Sequence, residues 1–302
     1  MVAEASGWSQ PRCPTLGAVI PILGGLGAAI CWSVSILCSS QSARRIGALS
    51  SLAWVMLVGC VFTLPAIALA GPVSLGIREV SLLGVSGITN VVGILFVLTA
   101  LRSGKVSVVA PITSTEGAIA AVIAVIAGEQ LAPGAGLVLG AIVVGVVLAA
   151  SERHPEAIEN ARFGPITTAL LALAAASCFG INLYVSGLIG QELPLAWSAL
   201  PARLTGVLVI AIPLILLRRL RLTRAAAPFV LVTGLTEVLG IASFAFGARE
   251  GIAIASVISS QFAAIAAVAA VILLRERLAR VQVVGVATIS VGVAVLSYLT
   301  SA

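Results

Sequence analysis

Charged residues are scarce in this sequence: Asp, Glu, Lys and Arg make up only 9% of its 302 residues, and 60% are hydrophobic. A soluble domain usually carries about a quarter charged residues, so a soluble globular protein is excluded. The few charges lie in short clusters between apolar runs of roughly 20 residues, the length of a bilayer-crossing helix. These runs lack the alternation of barrel strands, so we predict an all-α membrane protein.

Histidine and paired cysteines are also lacking. The one histidine, His154, has no metal-ligand partner at useful spacing, and five cysteines show no CxxC motif (Cys13, Cys31, Cys38, Cys60 and Cys178). Neither a metal site nor histidine-based catalysis is expected. No GxxxxGK[ST] loop is present, which excludes ATP-driven transport by this chain alone. We therefore expect no cofactor and no enzymatic activity.

The positions of the charged residues argue against a nucleic-acid partner and against a cleavable signal peptide. The formal net charge is +6, but the arginines lie between apolar runs, so we expect no nucleic-acid partner. The segment Met1–Thr15 carries Glu4 and Pro11 and lacks a basic region, which argues against a cleavable signal peptide.

The apolar runs predict ten transmembrane helices. The predicted spans are Leu16–Ser39, Leu49–Leu69, Val80–Ala100, Val106–Ala127, Ala135–Ala150, Pro165–Leu188, Leu195–Leu217, Ala226–Ala248, Ile252–Leu274 and Val281–Leu299. The longest polar connection, residues 151–163, separates span 5 from span 6. We therefore predict an N-terminal tail over residues 1–15, a first five-helix repeat over 16–150, a linker over 151–163 and a second five-helix repeat over 164–302.

An internal repeat supports this division. Gly104 and Gly251 lie 147 positions apart, and so do Glu129 and Glu276. Thr89, Asn90 and Gly93 fall on Thr236, Glu237 and Gly240 at the same shift. Five spans per half is an odd number, so the halves insert with opposite orientation. Inverted repeats are typical of secondary transporters, which bind substrate near the midplane at the repeat interface.

Loop charge predicts the orientation of the bundle. One side collects thirteen basic residues, and the other carries only Arg12, Arg78 and Arg249. The basic side is therefore expected to be cytoplasmic, with both termini outside. We expect a multi-pass protein of the cell (plasma or inner) membrane, monomeric or homodimeric, whose partners are the lipid bilayer and a small-molecule substrate.

Three ionisable side chains lie inside predicted spans: Glu116, Arg203 and Glu237. A charge at the bilayer centre costs roughly 2.5–3.5 kcal/mol on insertion scales, so such groups usually face a bundle interior or a wet cavity. Arg203 either snorkels to an interface or pairs with a carboxylate or substrate. Because one arginine cannot pair two acids, we predict that one acid, Glu237 rather than Glu116, carries a proton. The alternative is a neutral acid hydrogen-bonded between helices.

Uncharged polar residues gather near these acids and complete the predicted substrate and proton pathway. Its members outside the three ionisable groups are Asn90, Gln261, Asn182, Tyr184, Trp32 and Ser259. Such a set could bind a metabolite that carries an amine, a carboxylate or hydroxyls. Each residue alone is more often a hydrogen bond between helices, worth about 0.6 kcal/mol. In spans 5 and 10, Gly136, Gly140, Gly285 and Gly292 are expected to allow close helix contact.

Several motifs together resemble the EamA family of the drug/metabolite transporter superfamily. They are AL-x-x-G-x-x-S-x-V-x-P at Ala100–Pro111, the GE-x-L corner at Gly128–Leu131, RERL-x-x-x-Q-x-x-G at Arg275–Gly285, and AICWS in the first span. The resemblance implies ten helices in two inverted repeats, a cavity formed by spans 1–4 and 6–9, and peripheral spans 5 and 10. Many members have a proline about a dozen residues before the GE corner, where this chain has Glu116 and Ala263.

The sequence therefore predicts a secondary active transporter working by alternating access. We expect it to export an amino-acid-like or similar polar metabolite, driven by protons or by the substrate gradient. A passive channel or sensor is the alternative. An intramembrane enzyme is disfavoured, because the chain offers neither an acidic metal-binding cluster nor a histidine base.

Overall fold

A computed structural model of the protein describes residues 14–103, 109, 112–150, 164–262, 264–266, 268–269 and 280–301. Within these residues the chain forms helices and turns and no β-strand. The first half holds α1 (Pro14–Ile46), α2 (Ala48–Leu69), α3 (Ile77–Ser103), α4 (Glu116–Ile126) and α5 (Ala135–Ala150). The second half holds α6 (Pro165–Glu192), α7 (Leu195–Leu216), α8 (Ala227–Ala248), α9 (Ile252–Ser259) and α10 (Arg280–Ser301).

Six of these helices are long and apolar enough to cross a membrane: α1, α2, α3, α6, α7 and α8. The other four helices are shorter and apolar, and α4, α5 and α10 contain the apolar helices Glu116–Ile126, Ala135–Leu148 and Val283–Leu296. Their outer faces expose large aliphatic side chains, such as Ile126, Leu137 and Val291, as expected of surfaces in contact with lipid. The prediction of an all-helical multi-pass membrane protein is confirmed.

Most predicted span boundaries agree with the helices. α5 has the predicted bounds, and α1 continues two turns past the predicted end, through Arg44 and Arg45 to Ile46. The predicted linker over residues 151–163, most of the N-terminal tail, Cys13 and His154 lie outside the described residues. The four described cysteines are free thiols.

Three predicted spans are not continuous α-helices. In span 4, Ser114 and Thr115 form a turn directly before α4 begins at Glu116. In span 9, α9 ends at Ser259 and a turn at 260–261 follows. At the 147-position shift, these two interruptions fall within one residue of each other. The predicted spans 4 and 9 are therefore interrupted helices.

α7 changes helix type along its length. It starts as a 3₁₀ turn (Leu195–Ser198), continues as an α-helix (Leu200–Gly206), widens into a π-helical turn (Val207–Ala211) and ends as an α-helix (Ile212–Leu216). π-turns are rare and are frequent at functional sites. Arg203 lies on the α-helical turn just before the widened one.

Helix packing is closest where small residues face each other. α1 packs against α8, α3 against α6, α5 against α10, and α4 against α9. A Cβ added to Gly24 of α1 would lie 2.4 Å from the Cα of Gly247 of α8, so that contact requires glycine. A Cβ added to Gly145 or Gly292 would likewise come too close to the facing helix in the contact between α5 and α10. Gly136 and Gly140 have no atom of a neighbouring helix within 4 Å of an added Cβ, so the expectation of close contact there was wrong.

Candidate functional site

An ion pair inside the helix bundle is the centre of the candidate site. The Arg203 guanidinium of α7 donates a hydrogen bond of 3.1 Å from Nη2 to Oε2 of Glu237 on α8. The Ser35 hydroxyl of α1 donates to Oε1 of Glu237 at 2.7 Å. Three helices from both halves of the chain therefore meet at one carboxylate.

Burial is unequal between the two partners. The Arg203 side chain is 5% exposed and that of Glu237 is 31% exposed. Arg203 therefore does not snorkel, and the pairing alternative is the one that the structure shows. The acid is the partner that a molecule entering the bundle would reach first.

The Arg203 side chain lies in a notch on α2. A Cβ added to Gly59 would lie 2.5 Å from Arg203 Cδ and 3.2 Å from its Nε. Among the described residues, the only other hydrogen-bond partner of the guanidinium is Met56 Sδ, 3.5 Å from Nη1, and a thioether is a weak acceptor. Within the same residues, the buried Nε has no hydrogen-bond partner. The guanidinium therefore keeps donors that Glu237 does not use.

The second acid, Glu116, starts α4 at the interruption of span 4. It is partly buried. Its backbone carbonyl lies against Gly180 of α6, 3.0 Å from where a Cβ would be. Gly117 fits against Ser256 and Ser260 of α9. Among the described residues, no basic side chain pairs with Glu116.

Two predicted amides lie on helices α3 and α6. Asn182 accepts a hydrogen bond of 2.8 Å from the Ser86 hydroxyl, which is also 3.4 Å from Ser186 Oγ. This small polar cluster joins α3 to α6 and accounts for Asn182 as a structural contact. Asn90, which corresponds to Glu237 in the repeat, has a buried Oδ1 that finds no hydrogen-bond partner among the described residues. Asn90 is therefore the better candidate of the two for a substrate contact.

Trp32 and its neighbour Ser33 lie at the interruption after α9. The Trp32 ring meets the Phe262 ring edge-on at 6.1 Å and packs on Gly240 of α8. The Ser33 hydroxyl lies 2.8 Å from the Phe262 carbonyl oxygen and 2.6 Å from that of Ala29. It can therefore donate to a backbone carbonyl at the interruption.

The remaining predicted residues lie elsewhere. Ser259 is fully buried and donates to the Ser256 carbonyl of its own helix at 2.9 Å. Tyr184 packs where two apolar clusters meet. Gln261 is 3% exposed, and no described residue forms a hydrogen bond with its Nε2. It lines a mostly apolar cavity of about 330 Å³ between α1, the segment after α9, and α10.

Ser35, Met56 and Gly59 complete the ion-pair site and were not among the predicted residues. Ser35 carried a usable signal, because it is a polar residue in the first span close to Trp32. Met56 and Gly59 carried none, because a methionine and a glycine in an apolar span are ordinary. The described residues contain no cluster of three metal-binding side chains.

Comparisons with known proteins agree with this description. Residues 19–151 match the model of the EamA-like transporter family. One solved structure, described only as the crystal structure of a protein, superposes on this chain with a TM-score of 0.74 at 18% sequence identity. The superposition covers 93% of this chain and 97% of the other chain. At that identity the likeness shows the fold alone. No curated protein matches the sequence.

Proposed function

We propose that the chain is a secondary active transporter, because residues 19–151 match the model of the EamA-like transporter family, which belongs to the drug/metabolite transporter superfamily. Its substrate is a small polar metabolite with an amine or carboxylate group, which it exports by alternating access across the cell membrane. The observation that carries the proposal is the Arg203–Glu237 pair, because buried charges in membrane helices mark substrate and ion pathways.

The helix contacts support two inverted repeats, 16–150 and 164–302. α1 packs on α8, and the corresponding contact of the second half, α6 on α3, is also present. In the same way α2 on α8 corresponds to α7 on α3, and α4 on α6 corresponds to α9 on α1. A pseudo-two-fold axis would relate these pairs and place the ion pair near the repeat interface.

The two interruptions support the position of the substrate site. In transporters built from inverted repeats, substrates bind beside discontinuous helices, whose free backbone groups contact them. Here one interruption adjoins Glu116 and the other adjoins Gln261 and Phe262. Both lie on helices that pack against each other.

Charge counting supports proton coupling at Glu116. Glu237 is neutralised by Arg203, so Glu116 is the acid left over in the described part of the bundle. The geometry therefore favours Glu116 over Glu237 as the proton carrier, with Glu237 as the substrate-contacting acid.

Counterflow in proteoliposomes tests this function. Vesicles holding the full chain and one unlabelled amino acid are diluted into the same radiolabelled amino acid, and each proteinogenic amino acid is tried in turn. We expect transient accumulation of label for at least one of them, because a carrier exchanges substrate faster than it moves empty. Passive equilibration without accumulation indicates a channel, and no flux with any amino acid overturns the proposed substrate class.

An imposed pH gradient tests the coupling. We expect the gradient to drive uptake in the unaltered chain and in the Glu192→Gln control, whose carboxylate lies at the helix end of α6. Glu116→Gln should keep counterflow and lose the response to the gradient. A gradient response that persists in Glu116→Gln removes the proposed proton site.

A further inference from the structure

Glu129 of the GE corner belongs to no part of the site described above, yet it joins the two halves of the chain through two hydrogen bonds. Its carboxylate accepts two backbone hydrogen bonds from the start of α9, 3.0 Å from Ile252 N and 2.9 Å from Ala253 N. The first N–H groups of a helix have no partner within the helix, so Glu129 satisfies two of the orphan donors of α9. The partial positive charge of that helix end also favours a carboxylate.

Gly251, the residue before α9, packs closely against both Glu129 and α1. A Cβ on Gly251 would lie 3.4 Å from Glu129 Oε1 and 3.3 Å from Pro21 Cγ of α1. The glycine therefore leaves room for the carboxylate between α1 and α9. Ile252 and Ala253 are both buried, so their N–H groups could not turn to water instead.

The contact fastens one end of a short antiparallel helix pair. α4 and α9 pack side by side, and their other end is fixed where Gly117 fits against Ser256 and Ser260. Glu116 lies next to Gly117, and the interruption after α9 lies next to Ser260. The same pair of half-helices is therefore held at the substrate site by glycine packing and at the bundle end by Glu129.

Other polar contacts tie the same bundle end within the second half. Arg249 donates from Nε to the Gly190 carbonyl at 2.7 Å, and Gln191 donates to the Ala248 carbonyl at 2.7 Å. These contacts join α6 to the α8–α9 corner. Glu129 reaches across from the first half, as does Arg78 in its surface ion pair with Glu192.

We infer that Glu129 is a positioning residue that holds this end of the transporter closed by capping α9. The inference rests on the proposed alternating access, because it assigns the contact that must break when this end opens. Separation of α4 from α9 would uncover the face of α9 that carries Ser256. It would also open a path to the proposed substrate site from the bundle end where Arg249 lies. Loss of the carboxylate should therefore favour the state that is open at this end.

Cysteine accessibility tests the inference without any substrate. Ser256→Cys is introduced into the full chain with its native cysteines replaced, and a membrane-impermeant maleimide is applied from one face of the membrane at a time. We expect Glu129→Ala to raise labelling from the Glu129 face about tenfold, the size of effect that loss of a helix cap produces. Glu129→Gln, which keeps one acceptor oxygen, should give a smaller rise and serves as the second variant if Glu129→Ala does not fold.

Glu192→Ala is the matched control, because it removes a carboxylate at the same end whose ion pair with Arg78 lies at the surface. Such pairs contribute little, so its labelling should stay at the starting rate. Unchanged labelling in both Glu129 variants overturns the inference. An equal rise from both faces also overturns it, because that result shows general loosening.

The outcome can be separated from that of the proposed function. Successful counterflow with unchanged labelling removes the role of Glu129 alone. A one-sided rise in labelling without counterflow for any amino acid leaves the closure in place and removes the proposed substrate class.

Discussion

At the scale of single residues, the site shows how a charge is kept inside a membrane protein. Arg203 is held by a carboxylate on one side and by a glycine notch on the other. The sequence indicated that Arg203, Glu237 and Glu116 would matter, because intramembrane charges are costly. It could not indicate the notch, because Gly59 becomes informative only when α7 is placed against α2.

Gly59→Ala should disturb the ion pair. The added Cβ would lie 2.5 Å from Arg203 Cδ, so the arginine must move away from Glu237. Overpacking of this kind typically costs about 1–3 kcal/mol, and we expect a lower unfolding temperature and slower counterflow. Gly84→Ala is the control, because no atom of a neighbouring element lies within 4 Å of its added Cβ. Equal unfolding temperatures for the two variants would show that the notch is not needed.

Removal of the two partners of the ion pair should have unequal effects. Glu237→Gln leaves a guanidinium with a 5% exposed side chain without a countercharge, whereas Arg203→Gln leaves a 31% exposed carboxylate. A stranded buried charge costs about 3–5 kcal/mol. We therefore expect Glu237→Gln to be the more destabilising change in detergent unfolding. If Arg203→Gln destabilises the protein as much as Glu237→Gln or more, the burial of the remaining charge does not decide the cost of breaking the ion pair.

At the scale of helices, sequence reasoning placed the elements but not their interruptions. Long apolar runs predict where a helix starts and stops, and α5 has the predicted bounds. The interruptions depend on groups distant in sequence, such as the Ser33 hydroxyl near the Phe262 carbonyl. No local pattern in span 9 indicates where its helix is interrupted. Pro111, near the start of predicted span 4, lies outside the described residues.

Ser33→Ala should weaken the interruption after α9. The Phe262 carbonyl would lose a donor 2.8 Å away, and loss of a buried hydrogen bond costs about 1 kcal/mol. We expect faster amide hydrogen exchange over residues 258–262 by mass spectrometry. Ser177→Ala is the control, because that exposed hydroxyl bonds only to its own helix. Exchange that stays at the level of the control would mean that Ser33 does not support this segment.

At the scale of the whole molecule, closure of one bundle end should depend on pH. Burial raises the pKa of the Glu129 carboxyl above its ordinary value of 4.5, although the N–H groups of Ala253 and Ile252 act in the opposite direction. The proton therefore binds more tightly to the closed end than to an open, solvated one. Closure is strongest below the ordinary pKa and weakens as the pH rises through the raised pKa.

Labelling of Ser256→Cys from the Glu129 face, divided by the labelling rate of free cysteine at the same pH, should accordingly increase with pH across that window, because the thiolate is the reacting form of both. In the described part of the chain, the other titratable or charged groups at this end are Arg78, Glu79, Glu192, Arg249 and Glu250. Glu192→Gln should keep the pH dependence, and Glu129→Gln should flatten it. A pH profile that is the same in all three proteins would assign the dependence to another group.

The π-helical turn of α7 places one extra residue in a helix that would otherwise run regularly from Leu200 to Leu216. Each residue of an α-helix accounts for about 100° of rotation. Deleting a single residue between Val207 and Ala211 would straighten the helix and turn Arg203 by that angle relative to the far end of α7. In evolutionary terms, the loss or gain of one codon there would change whether the guanidinium of Arg203 faces Glu237. The hydrophobicity of the span would stay nearly the same.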